Sequence, residues 1–222
     1  MKPTVRFSDA YSGAVKIGLE MGGKRFDRWV RRFGFGKPTG IDLPGEEAGL
    51  VLPLDKYSGS SMGNLPIGQG EAVTAVQLAA AYATIANGGI LRTPQMIKSI
   101  DGRRVALPKG KRIISPFTAT EVRKMLEGVI RVGGTGTEAA IDGYTLAGKT
   151  GTANKIDPKT GKYSDSAYVA SFVGFAPAND PKLLVTVTVD EPKGGIYGGS
   201  VAAPAFQRIA QFALPYLGIP PS

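Results

Sequence analysis

The chain of 222 residues contains no cysteine and no histidine. Without cysteine it has no disulfides, and without both residue types it lacks the usual ligands of structural zinc. The fold must therefore rest on a buried apolar core. A hydrophobic fraction of 42% and a mean hydropathy of -0.02 are typical of a globular chain, and the length predicts a single domain spanning residues 1–222. The same absence excludes His-based triads and Cys nucleophiles, leaving Ser, Thr, Lys, Tyr, Arg, carboxylates and backbone amides for chemistry.

The net charge of +9 comes from 27 Lys and Arg against 18 Asp and Glu. A basic balance favours anionic partners, but the densest cluster, at residues 24–32, alternates with aromatic and apolar residues. We interpret it as the solvated face of a helix, and no nucleic-acid partner, cofactor or metal is predicted. The longest nearly apolar run, at residues 76–86, is too short to span a bilayer, so no signal or anchor is predicted in this chain.

Apolar spacing and end signals predict four helices. The clearest lies at residues 71–87, before a glycine pair. A second, at residues 115–132, has Ser115 as its cap and Pro116 in its first turn. The others are predicted at residues 13–33, with a break at Gly22-Gly23, and at 201–217. Residues 34–70 are predicted to be mostly loop.

Three short segments rich in β-branched and aromatic residues predict consecutive antiparallel strands at residues 144–152, 168–175 and 183–189. Short extended pieces are expected at 90–108, around an Asp101-Gly102 turn. The predicted fold class is therefore α+β, with an antiparallel sheet packed against helices.

Residues 143–150 satisfy the P-loop pattern G-x-x-x-x-G-K-[ST], and residues 183–191 imitate the strand that ends in a magnesium-binding Asp. A P-loop needs a helix immediately after the motif, because the helix N-terminus binds the phosphates. The sequence after Thr150 cannot form that helix, so the context opposes nucleotide binding.

The same residues can instead form a strand that displays Lys149-Thr150-Gly151. On an edge strand, the Lys and Thr side chains can meet a substrate carboxylate, and the glycine leaves room for a substrate backbone. The amide of Thr152 can point into an oxyanion hole. Lys-Thr-Gly is a signature of serine enzymes that recognise penicillin.

The surroundings of this motif resemble the transpeptidase domain of penicillin-binding proteins, most closely the monofunctional class B members. The likeness runs over residues 13–217 and is carried by the segments RFGFG (32–36), TGIDLP (39–44), PIGQG (66–70), TAVQL (74–78), ANGG (86–89), AGKTGTA (147–153), ASFVGFAP (170–177) and VAAPAF (201–206).

The resemblance implies a truncated penicillin-binding, β-lactamase-like fold comprising the C-terminal portion of that domain, with residues 1–12 as an atypical N-terminal segment. In the family, a serine attacks the D-Ala-D-Ala end of a peptidoglycan stem peptide, and β-lactams trap that serine. By this resemblance, Lys149 and Thr150 would bind the carboxylate of the peptide or drug. Gly151 would keep the groove open and Thr152 would supply one oxyanion amide.

Two motifs of the family are missing. No serine in the chain has lysine three residues later, and Ser12 comes nearest, with Lys16 one position too far. Ser-x-Asn is also absent, and Tyr11 stands where the resemblance would place its asparagine. No catalytic nucleophile is identified. The chain is predicted to be unable to acylate and to bind stem peptide or β-lactam weakly and non-covalently, if at all.

Three strands without the two that the family's front half contributes would leave residues 183–189 as an open edge. The first seven residues, including Val5 and Phe7, could cover it, or a second copy could pair with it in a homodimer. The resemblance places the parent protein in the cell envelope, on the extracytoplasmic side of the bacterial inner membrane. A non-catalytic binding or scaffold module of wall synthesis stays open as an alternative function.

Three other groups of polar residues are interpreted without a catalytic role. Ser58, Ser60 and Ser61 are expected in a loop, and residues 163–168 in a surface turn. Asp190-Glu191 is a pair of carboxylates with Lys193 close by in sequence to neutralise them.

Overall fold

A computed structural model describes residues 7–221, with side chains described from residue 11 onward. Contacts between residues divide this part of the chain into two compact units, one of residues 7–38 with 47–74 and one of residues 39–46 with 75–221. Each unit is described by itself, and the single domain expected from sequence stays a prediction. None of the helices in the described residues is both long and apolar enough to cross a membrane.

The first unit begins with helices α1, Phe7–Met21, and α2, Gly23–Arg32. The predicted break between them is confirmed at Gly22, whose φ of 74° belongs to the left-handed region that glycine tolerates. The start predicted at residue 13 was too late, because Phe7 already begins α1. The end before Gly34 is confirmed.

The rest of the first unit is mostly loop, as predicted, with three short helical pieces. These are a 3-10 turn at Leu54–Lys56, helix α3 at Ser61–Asn64 and a 3-10 turn at Leu65–Ile67. An isolated antiparallel bridge joins Leu50 to Ala72 by two backbone hydrogen bonds of 2.6 and 2.9 Å. The Ser58 hydroxyl lies within hydrogen-bond distance of the Ser60 and Ser61 hydroxyls. Ser58 and Ser60 lie outside the helices, as expected, but the loop expected for Ser61 was wrong, because Ser61 is buried as the first residue of α3.

The second unit contains helices α4, Ala75–Ala86, and α5, Pro116–Glu127. Helix α4 starts four residues later than predicted. Helix α5 is capped as expected, because the Ser115 hydroxyl accepts from the Thr118 amide at 3.0 Å. Its predicted end at residue 132 was wrong: the chain leaves the helix at Gly128 and turns through residues 128–136, which contain four glycines.

Four two-residue strands join in two small antiparallel ladders. The first joins β1, Ile90–Leu91, to β4, Lys111–Arg112. The second joins β2, Ser99–Ile100, to β3, Arg103–Arg104. The turn between β2 and β3 is Asp101-Gly102, both with positive φ, as predicted. The Asp42 carboxylate accepts hydrogen bonds from the amides of Met96 and Ile97 at 2.8 and 3.1 Å, which hold residues 39–46 beside the segment that leads into β2. These hydrogen bonds also lower the pKa of Asp42 below its ordinary value.

The central feature of the second unit is an antiparallel sheet in the order β5-β6-β7. Its strands are Ala147–Ile156, Tyr163–Ala176 and Leu183–Asp190. The predicted order and antiparallel pairing are confirmed. The turn predicted at residues 163–168 was wrong, because these residues extend β6 and pair, across a bulge, with the end of β5.

Helix α6, Gly198–Tyr216, covers one face of this sheet. The rings of Phe172 and Phe206 lie 4.8 Å apart between sheet and helix, and both are almost fully buried. On the other face, Phe175 and Ala147 pack with Leu126 of α5. The sheet is thus covered by α6 on one side and by α4 and α5 on the other.

Strands β5 and β7 are the outer strands of the described sheet, so the prediction of residues 183–189 as an edge is confirmed. Val5, expected to help cover that edge, lies outside the described residues, and Phe7 is helical rather than extended. Pairing of this edge with a second copy stays a prediction.

Candidate active-site strand

Residues Lys149 to Thr152 lie in β5 at one edge of the sheet. They pair with residues 170–173 of β6 in regular antiparallel register. Successive side chains of a strand point to opposite faces, and in an edge strand alternate amides point away from the sheet. This strand therefore presents side chains to both helical layers and backbone groups to its open side.

Lys149 shares a face with Ala147, which packs towards α5. Its Nζ donates a hydrogen bond of 2.8 Å to the Thr150 carbonyl and lies 3.4 Å from the Thr150 hydroxyl. Crowding by neighbouring protein atoms lowers the pKa of Lys149 from its ordinary value, although the side chain keeps contact with solvent. The described contacts give this ammonium no carboxylate partner, so it can attract one from a ligand.

Thr150 extends the polar surface beside the ammonium. Its hydroxyl lies 2.8 Å from the hydroxyl of Thr135, in the loop after α5. Lys149, Thr150 and Thr135 thus bring a cation and two hydroxyls together in a group that can receive a carboxylate. Thr135 was not among the residues predicted from sequence to form the site. The available signal was a hydroxyl residue between glycines just after a helix.

Gly151 and Gly198 lie where two pieces of backbone approach closely. A Cβ on Gly151 would collide with the Ser171 hydroxyl, and a Cβ on Gly198 would collide with the carbonyls of Ser171 and Gly151. The structure therefore gives Gly151 a packing role within the sheet. Its expected role in keeping a substrate groove open stays a prediction.

The Thr152 hydroxyl accepts a hydrogen bond of 3.2 Å from the amide of Gly198, the first residue of α6. This contact joins the start of the helix to the strand that carries Lys149. It is also why α6 begins three residues before the position predicted from sequence, because only glycine allows the helix to start so close to β5. The oxyanion role of the Thr152 amide stays a prediction.

The same strand contradicts the P-loop interpretation. A P-loop forms a turn around phosphate and continues as a helix. Here Gly148, Lys149 and Thr150 are extended, and β5 continues to Ile156. No helix follows Thr150 within the described hairpin of β5 and β6.

The carboxylates of Asp190 and Glu191 are neutralised by Lys155, at 2.9 and 2.7 Å, and not by Lys193 as expected. The strand pairing brings Lys155 across the sheet, which sequence proximity could not show. Hydrogen bonds to Glu191 and Asp190 raise the pKa of Lys155. Among the described residues, no cluster of three or more His, Cys, Asp or Glu could hold a metal ion.

Comparison with known proteins matches residues 9–211 to the penicillin binding protein transpeptidase domain. Penicillin-binding protein PbpB of Mycolicibacterium smegmatis is 43% identical, covering 94% of this chain and 34% of that protein. Stage V sporulation protein D of Bacillus subtilis is 42% identical, covering 94% of this chain and 33% of that protein.

Two solved structures show the same architecture. Penicillin binding protein 3 of Mycobacterium tuberculosis, complexed with aztreonam, superposes with a TM-score of 0.86 at 38% identity, covering 96% of this chain and 50% of that one. The transpeptidase domain of penicillin-binding protein 3 from Burkholderia pseudomallei gives 0.85 at 37% identity, covering 96% of this chain and 63% of that one.

The chain spans about a third of the length of the curated relatives it matches and about half of the Mycobacterium tuberculosis structure. The matched region includes most of both compact units, the Lys149 strand and most of α6. This chain therefore belongs to the penicillin-binding protein transpeptidase family.

Proposed function

We propose that this chain forms the Lys-Thr-Gly wall of a peptidoglycan D,D-transpeptidase site and binds the terminal carboxylate of a D-Ala-D-Ala stem peptide. A β-lactam carboxylate would occupy the same place. The observation that carries the proposal is the Lys149 ammonium beside the Thr150 hydroxyl on an edge strand, in a chain of this family. The aztreonam and ampicillin complexes of the Mycobacterium tuberculosis relative support β-lactams as ligands.

The proposed binding follows from charge and geometry. A carboxylate beside Lys149 would pair with an ammonium that neighbouring protein atoms partly desolvate. The Thr150 hydroxyl can donate a second hydrogen bond to that carboxylate. With the peptide backbone alongside β5, its scissile carbonyl could accept a hydrogen bond from the Thr152 amide.

We further propose that the 222 residues alone cannot complete acylation. Acylation needs a serine oxygen to attack the carbonyl while a base takes its proton and the D-Ala amine leaves. The family's Ser-x-x-Lys supplies both groups, and the sequence lacks it. Binding by this chain would then be weak and non-covalent, and the nucleophile would have to come from other residues of a longer protein.

The family also suggests where the chain works. Peptidoglycan is assembled outside the cytoplasm, so we place the site in the cell envelope, on the extracytoplasmic side of the inner membrane. A binding or scaffold module of wall synthesis is the second candidate, and the missing nucleophile motif is what favours it.

The test is intact mass after incubation with excess benzylpenicillin, together with a non-covalent titration by NMR. We expect no adduct, and shifts of the Thr150 backbone and side-chain signals that disappear in Lys149→Ala. Lys162→Ala, which removes an exposed lysine from the same hairpin, is the matched control and should keep the shifts. A stoichiometric adduct would contradict the predicted inability to acylate, and shifts unchanged in Lys149→Ala would contradict the binding site.

A further inference from the structure

Four side chains of the first unit form a polar cluster between α2 and the loop that follows it: Asp27, Arg31, Tyr57 and Glu71. The Arg31 Nε donates to the Asp27 carboxylate at 2.9 Å, and its Nη2 donates to the Leu52 carbonyl at 3.4 Å. Arg31 therefore ties α2 to the loop. The Asp27 side chain is only 14% exposed, so this ion pair is partly sheltered from water.

Backbone contacts hold the other two members in place. Glu71 directly precedes Ala72, which the two-sided bridge to Leu50 fixes. The Tyr57 ring packs against Gly23 at the start of α2, where an added Cβ would lie 3.1 Å from the ring. Tyr57 is thus placed by packing against α2, and Glu71 by the bridge at the end of the loop.

Two atoms of this cluster are buried without a hydrogen-bond partner, the Tyr57 hydroxyl and the Glu71 Oε1. A buried polar atom with no partner costs free energy, and an ionised carboxylate costs much more than a neutral one. The loop therefore closes on α2 most easily when Glu71 is uncharged.

Electrostatics point the same way. Burial raises the pKa of Glu71 above its ordinary value of 4.5, the Asp27 charge raises it further, and the Arg31 charge opposes the rise. Burial also raises the pKa of Tyr57, with the charges of Asp27 and Glu71 adding to the effect. Asp27 and Arg31 of α2 are the charged groups that act on Glu71, and the Glu71 charge in turn acts on Tyr57.

We propose that protonation of Glu71 controls the stability of the first unit. The neutral carboxyl allows residues 50–71 to stay packed on α2, and its ionisation weakens that packing. The stability contributed by this group is then fully present below about pH 4.5 and is lost as pH rises through the raised pKa of the folded state. This direction is opposite to that of a surface carboxylate in an ion pair.

The chain offers a local probe of this closure. Trp29, the only tryptophan of the sequence, lies on α2 between Asp27 and Arg31. Its fluorescence in urea therefore reports the unfolding of the first unit. The matched variants are Glu71→Gln, which keeps the shape and removes the titration, and Glu47→Gln, which makes the same charge change at an exposed position in the same unit.

At pH 8, we expect Glu71→Gln to raise the urea midpoint by about 0.5 M above the wild type and above Glu47→Gln. At pH 4.5 this difference should shrink, because more of the wild-type carboxyl is then protonated in the folded state. An equal difference at both pH values, or a lower midpoint for Glu71→Gln at pH 8, would overturn the proposal.

A direct titration keeps the test independent of how the variants fold. Carbon-13 NMR of the glutamate carboxyls in the wild type, with the Glu71 signal assigned by its loss in Glu71→Gln, should give a midpoint above 4.5. Asp27→Asn should lower that midpoint, since it removes a negative neighbour. A Glu71 titration midpoint at or below 4.5 would refute the proposal.

Discussion

The hydroxyl of Thr135, in the loop after α5, lies 2.8 Å from the hydroxyl of Thr150 on β5. This contact brings a residue from a glycine-rich turn into the proposed carboxylate site. The proposed site is therefore formed by two separate parts of the chain, the β5 strand with Lys149 and Thr150 and the loop with Thr135.

Thr135→Val should weaken binding of a D-Ala-D-Ala dipeptide by about fivefold, because it removes one neutral hydrogen bond beside the carboxylate. Thr137→Val, two residues away and exposed, is the control and should bind as the wild type does. Affinity can be measured by NMR titration. Equal affinities for the two variants would show that Thr135 takes no part in the site.

Dipeptide binding should fall as pH rises, starting below the ordinary lysine pKa of 10.5. Burial lowers the pKa of Lys149, so its ammonium loses the proton and the attraction for a carboxylate earlier than an exposed lysine would. Lys149→Arg stays charged and should flatten this dependence. The prediction would be wrong if wild type and Lys149→Arg lost affinity over the same pH range.

Gly198→Ala should destabilise the second unit by about 1–3 kcal/mol, because the new Cβ would collide with backbone carbonyls of Ser171 and Gly151. Gly195→Ala introduces a methyl at ordinary contact distance, 3.5 Å from Val201, and should stay within about 0.5 kcal/mol. Urea unfolding followed by circular dichroism measures both. A Gly198→Ala protein as stable as Gly195→Ala would contradict the close approach.

Phe206→Ala should cost about 3–5 kcal/mol, since the ring is almost fully buried against Phe172. Phe212→Ala removes the same atoms from a position on the same helix that is 74% exposed, and should cost far less. Unfolding in urea at fixed pH compares the two. Similar losses would mean that α6 is not held to the sheet through Phe206.

The local sequence predicted helix and strand boundaries well where a single residue determines the local geometry. Gly22 breaks α1 from α2 because it takes a positive φ, and Ser115 caps α5 because its hydroxyl reaches the Thr118 amide. Other ends of helices and strands were predicted less accurately. Helix α5 stopped before residue 132, and residues 163–168 joined β6, because strand pairing and glycine content override local preference.

The candidate site likewise contains residues that the sequence identified and residues that it did not. Lys149-Thr150-Gly151 was identifiable as a motif, and its place on an edge strand followed from the predicted order of three strands. Thr135 and Gly198 were not identifiable, since each reaches β5 through packing between elements distant in sequence. The partner of Asp190 and Glu191 was misassigned to Lys193 for the same reason.

By itself, the sequence determined the absence of cysteine and histidine chemistry, the three-strand order and the Lys-Thr-Gly motif. Those features depend on residue identity and on short-range geometry, which the chain specifies locally. Only the tertiary structure decided which hydroxyl lies beside Thr150, which lysine neutralises Asp190, and that Glu71 and Tyr57 are buried together. Those contacts join residues far apart in sequence, and they exist only because the helices and loops pack at particular distances.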